Sequence, residues 1–128
     1  LRSALNSLDN WIRTGDAPES RPTLDITNGT FVLDKKGNVT GGIRTPHVDV
    51  PVAILSGLGQ TGSAFCGLFG TTVAPPPAAF ASWALPNGRA AFDAAWIASL
   101  DDAVAKGNIL EADAVNLRTV VKNAKLPS

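Results

Sequence analysis

The residues best suited to chemistry lie between Arg44 and Cys66. His47 is the chain's one histidine, so any imidazole base must be this residue, and a lone ligand does not build a zinc site. Asp49 follows two positions later, and in an extended segment both side chains project to one face, where the carboxylate could orient the imidazole. A nucleophile would still be needed. Ser56 and Ser63 are near, but neither stands in the GxSxG turn that exposes an esterase serine. No catalytic residue is therefore assigned, and His47 is expected to be a partly buried structural histidine. Arg44 is expected to tie down a backbone carbonyl or a local carboxylate, the alternative being an anion anchor.

Two further motifs surround this stretch. Gly57-Leu58-Gly59-Gln60-Thr61-Gly62 matches the dinucleotide fingerprint GxGxxG, and the apolar run Val50 to Leu55 before it resembles a leading strand. That chemistry needs a helix directly after the loop and an acidic residue about 20 positions on. Instead Gly67, Gly70 and Pro75-Pro76-Pro77 interrupt the chain, and no Asp or Glu occurs between Gly62 and Asp93. A glycine-rich loop that lets backbone approach a neighbour is expected, with nucleotide binding as a third functional reading. Cys66, among Ala64, Phe65, Leu68 and Phe69 and without a basic neighbour, reads as a buried thiol. It is the single cysteine, so a disulfide would need a thiol outside this chain. Asn28-Gly29-Thr30 and Asn38-Val39-Thr40 fit the glycosylation triplet and suggest exposed turns. Trp11, Trp83, Trp96 and the five phenylalanines read as core, since no basic residues interleave them.

The elements that must position these residues follow from periodicity. Leu1, Ala4, Leu5, Leu8, Trp11 and Ile12 recur at helical spacing, and Gly15 can end that helix. Leu24 to Thr27, Thr30 to Asp34 and Val39 to Ile43 are short β-prone runs separated by turn residues, which predicts an antiparallel meander. Pro46 and Pro51 then predict an extended edge segment over Arg44 to Val52. A short helix is expected over 78–84. Phe92, Trp96, Leu100 and Ala103 mark a longer one stopping at Gly107, and Leu117, Val120, Val121 and Ala124 mark its antiparallel partner. The fold class is α+β in one unit, 1–128: helix 1–15, meander and extended segment 22–56, Gly/Pro-rich loop 57–77, helices 78–126.

Composition narrows the function classes. Eleven basic and eleven acidic residues cancel, so no global field attracts nucleic acid, and none is expected as a partner. Hydrophobic residues at 45% and charged residues at 17% suit a packed core. No apolar run approaches the roughly 20 residues of a membrane span. No metal or other cofactor is expected. No secretory leader is recognisable, which leaves the compartment open, and a start inside an amphipathic helix suggests a piece of something longer.

The run Gly41-Gly42-Ile43-Arg44-Thr45-Pro46-His47-Val48-Asp49-Val50-Pro51-Val52-Ala53 resembles the large α/β-hydrolase-domain proteins of bacteria and fungi. The likeness extends to Leu8-Asp9-Asn10-Trp11-Ile12-Arg13-Thr14-Gly15, to Cys66-Gly67-Leu68-Phe69-Gly70 and to the closing helical pair. In that family these motifs lie in the C-terminal third, after the serine elbow and the triad histidine. The resemblance thus implies the C-terminal portion of a serine hydrolase acting on carboxylic esters or related acyl bonds. No triad residue carries over. Arg44, Thr45, Pro46, Asp49 and Pro51 match the family pattern, which makes Arg44, Thr45, His47 and Asp49 candidates for a pocket wall or a structural role. The implied partners are the remainder of the parent hydrolase, on the same or a separate chain, and a small ester. Leu5, Leu8, Trp11 and Ile12 would cover a sheet of that body. The alternative from another class is an independent binding or interaction subunit.

Overall fold

Helical periodicity and glycine stops build most of the molecule, which the computed structural model describes over residues 1–126. Helix α1 spans Arg2–Thr14 and ends where Gly15 turns left-handed at φ 80°, its N–H reaching Trp11 O at 2.8 Å. Its first turn is pinned by Ser3 Oγ, which donates to Asn108 O at 2.8 Å, and by an Arg2–Asp113 ion pair. None of its residues is buried.

Strands β1 (Ile26–Thr27) and β2 (Thr30–Phe31) form a hairpin across Asn28-Gly29, with Ile26 opposite Phe31 and Thr27 opposite Thr30. Positive φ at both turn residues matches the right-handed twist of the flanking strands. The expected third strand is reduced to single bridges, Leu33 to Val39 and Leu24 to Gly41. The three segments nonetheless close on themselves. Asp25 N donates to Thr40 O at 3.0 Å, Thr40 N to Val32 O at 2.9 Å, and Val32 N to Asp25 O at 3.0 Å. The meander is therefore a small ring of backbone hydrogen bonds.

The segment after it corrects the expected extended edge. Residues Pro46–Asp49 form a one-turn helix, α2. Proline lacks the N–H that a first helical residue leaves unpaired anyway, and its fixed φ suits that position, so Pro46 starts a helix here. Strand β3 (Ile54–Ser56) then pairs antiparallel with β4 (Thr71–Val73), Leu55 opposite Thr72. The Gly/Pro-rich stretch expected to be irregular thus contains a 3₁₀ turn at Cys66–Leu68 and a strand. The GxGxxG run lies in a hairpin connection, with no helix at its end.

Helices α3 (Pro77–Ala84), α4 (Gly88–Ala105) and α5 (Glu111–Asn123) complete a mixed α+β fold, with five helices and two small antiparallel sheets among the described residues. Phe92, Trp96 and Leu100 of α4 meet Val121 of α5 in the core, as the helical spacing predicts; Ala114 joins them, and Val120 is instead 60% exposed. Gly107 N bonds Val104 O and Asn108 N bonds Ala103 O, both at 2.8 Å, which satisfies the last carbonyls of α4. Arg89 at the start of α4 donates to Val121 O and Ala124 O at 2.7 Å, which fixes the pair as antiparallel. Arg118 bridges Glu111 and Asp101, and these hydrogen bonds hold its guanidinium above the usual arginine range. The aromatic residues divide: Trp96, Phe80 and Phe92 are core, whereas Trp11, Phe31, Phe65 and Phe69 are exposed because nothing in the described residues covers them. Among the described residues, no helix is long and apolar enough to cross a membrane.

Candidate functional site

The candidate residues gather where the closed meander meets α4. Asn38 and Gly41 to Ile43 bring the chain out of the ring, and α2 turns it back so that this short helix lies on α4. Thr45 is the extended residue before α2, at φ −138° and ψ 162°, and its carbonyl accepts from Val48 N and Asp49 N at 2.9 Å. Its side chain makes no cap hydrogen bond, so its part is played by the backbone.

Arg44 is the hub. Its Nε donates to Asp49 Oδ1 at 2.6 Å, Nη1 to Val39 O at 2.9 Å and Nη2 to Val48 O at 3.5 Å. Asp49 Oδ2 accepts from Ser99 Oγ of α4 at 2.8 Å. One guanidinium and one carboxylate thus connect meander, α2 and α4, because the planar fork of arginine offers several donors at fixed angles. This is the carbonyl-and-carboxylate role expected for Arg44. Ser99 escaped sequence reasoning: it lies 50 residues from Asp49, and only the docking of α2 on α4 brings it near.

His47 and Asp49 do not meet. On a helix, residues two apart point to different sides, and the carboxylate is already held by Arg44 and Ser99. The expected partial burial of His47 is also corrected. It is exposed, with its ring edge-on to Trp96 at a centroid distance of 5.6 Å. The arrangement lacks the base-to-nucleophile contact of acyl transfer: Ser99 gives its proton's hydrogen bond to Asp49 directly, with no imidazole between them.

The outlying candidates are spread over the second hairpin. Ser56 Oγ accepts from Leu58 N at 3.0 Å, and Ser63 Oγ lies 3.6 Å from Cys66 Sγ. Cys66 is half-buried, not buried as expected, since Phe65, Leu68 and Phe69 around it are turned outward. Among the described residues, no three His, Cys, Asp or Glu side chains converge as a metal site would require. The two glycosylation triplets also separate. Asn28 is an exposed hairpin tip, whereas Asn38 is 1% exposed and accepts Leu55 N through Oδ1 at 2.8 Å. Its turn is formed by Asp34, whose Oδ1 accepts from Lys36 N and Asn38 N.

The Arg44 cluster is testable as a clamp. In a double-mutant cycle, Arg44→Ala and Asp49→Asn should show a coupling of about 1 kcal/mol in chemical denaturation, modest because both side chains remain partly solvated. Additive effects would remove the pair from the account.

Residues 1–119 match the family model described as "Alpha/beta hydrolase domain". No curated protein and no solved structure gives a match.

Proposed function

Because this chain belongs to the alpha/beta hydrolase domain family, we propose that it is the C-terminal, structural portion of a hydrolase of carboxylic esters or related acyl bonds. It covers a body that carries the nucleophile and its histidine, and it forms part of the substrate-pocket wall. The observation that carries this reading is surface. The chain exposes 8797 Å², whereas a compact monomer of its mass exposes about 6,400 Å². The surplus of about 2,400 Å² is the size of one side of a large obligate interface.

The character of that surface agrees with its extent. Leu5, Leu8, Trp11 and Ile12 on α1 are 56, 48, 46 and 76% exposed, although their spacing is that of a helix with a covered face. Phe65, Leu68 and Phe69 in the β3–β4 connection are 66, 77 and 57% exposed. From Val50 to Gly88 the sequence has no charged residue, so this region suits an apolar polypeptide surface and not a charged partner. In this reading α1 and the connection lie on the body, while the Arg44–Asp49–Ser99 clamp holds α2 and the meander rigidly beside the reaction centre. The chain's own contribution to hydrolysis is placement and exclusion of water.

The chain alone should therefore be inert. With p-nitrophenyl acetate, nitrophenolate release is expected to equal that of a Ser56→Ala/Ser63→Ala variant and of buffer. Turnover above the blank, in either protein, would contradict the proposal.

A further inference from the structure

A cavity lies between the meander and the β3–β4 hairpin. Its volume is about 620 Å³, inside the range of about 300–1,000 Å³ common for small-molecule sites. Leu24, Phe31, Leu33, Val39, Ile54 and Leu58 supply most of its wall. The hydroxyls of Thr30 and Ser56 are the only polar side-chain groups in the lining, and no charged residue contributes to it.

This cavity is preformed. One wall is held by the ring of backbone hydrogen bonds through Asp25, Val32 and Thr40. The other is tied to it by buried Asn38, whose Oδ1 takes the Leu55 N–H at 2.8 Å. Phe31, Leu33 and Leu58, at 42, 57 and 67% exposed, are apolar groups around a concavity held open to water. Covering them is favourable at about 25 cal/mol per Å². A lining without counter-charge or a converging donor set makes a carboxylate or phosphate costly to bring in.

Resting on the reading of this chain as a pocket wall of an ester hydrolase, we propose that the cavity receives the apolar acyl chain of a neutral ester. The ester group stays outside, toward the reaction centre, and the chain length that fits is set by the cavity's depth. Selectivity then comes from volume and absence of charge.

The probes are methyl esters of straight-chain acids, from butanoate to decanoate, titrated into the full chain. Binding is followed by calorimetry and by the methyl resonances of Leu24, Val39 and Ile54. Saturable one-to-one binding is expected, tightening about fourfold per added methylene until the cavity is full. Monomethyl esters of the matching dicarboxylic acids, which would carry a charge to the far end of the cavity, should bind about tenfold more weakly or worse. Thr30→Trp, at an exposed strand position, and Val39→Phe should each move the break in the series to shorter chains by filling space. Leu8→Ala on α1 should leave the series unchanged. No saturable binding, no break with length, or equal affinity in the filled variants would overturn the assignment. Hydrolysis is not the readout, so failure here leaves the pocket-wall reading standing, and esterase activity in this chain would overturn that reading without altering the binding result.

Discussion

Leu100→Ala is expected to lower folding stability by about 3–4 kcal/mol, the cost of deleting buried methyl groups and leaving a cavity. Leu100 is fully buried, packed among Phe92, Trp96, Ala114 and Val121 where α4 meets α5. Among the described residues, the buried core cluster lies in this one helix pair, so the loss falls on it directly. Since domains of this kind have only about 5–15 kcal/mol in total, the variant should denature at a much lower midpoint with an unchanged slope. Val120→Ala, on the exposed side of α5, should change stability by less than about 0.5 kcal/mol. Similar midpoints for the two variants would mean that the core lies elsewhere.

Gly41→Ala carries the second large effect, about 3 kcal/mol, composed of the left-handed backbone penalty and a collision with fixed atoms. Gly41 has φ 72°, and a Cβ there would stand 2.6 Å from Thr23 O and 2.8 Å from Asp25 N. These are backbone atoms of the closed ring, and shifting them also strains the 2.8 Å bond from Gly42 N to Thr23 O. The comparison is Gly15→Ala, at φ 80° but with nothing within 4 Å of its added Cβ, which should cost only about 1 kcal/mol. Chemical denaturation of both variants decides the matter: if Gly41→Ala is no worse than Gly15→Ala, the ring is not the rigid element described here.

The helices were legible because their side chains repeat the geometry that buries them. Phe92, Trp96, Leu100 and Ala103 recur at helical spacing and are all buried, and Gly15 and Gly107 close their helices. Proline was the ambiguous signal. Pro46 removes one N–H, which is equally compatible with an edge strand and with the first position of a helix, and only packing on α4 selects the latter. Strand β4 was hidden behind glycines, since Thr71–Val73 is too short to show alternation and pairs with residues 15 to 19 positions earlier. Asn38 looked like a solvated turn residue because its burial depends on the ring closing around it and on Leu55 N arriving from the next hairpin. At the candidate site, the partner of Arg44 was readable from nearby residues, whereas Ser99 was not, being supplied by a distant helix. The family resemblance was legible from residues 8–15, 41–53 and 66–70, which all fall within the matched span.

In the proposed function the attacking group of the hydrolase lies outside these side chains. Incubating the purified chain with a fluorophosphonate, which phosphonylates activated serines, and measuring intact mass decides this. An unchanged mass of 13.2 kDa is expected. A stoichiometric adduct mapping to Ser56, Ser63, Ser99 or any other residue of this chain would contradict it.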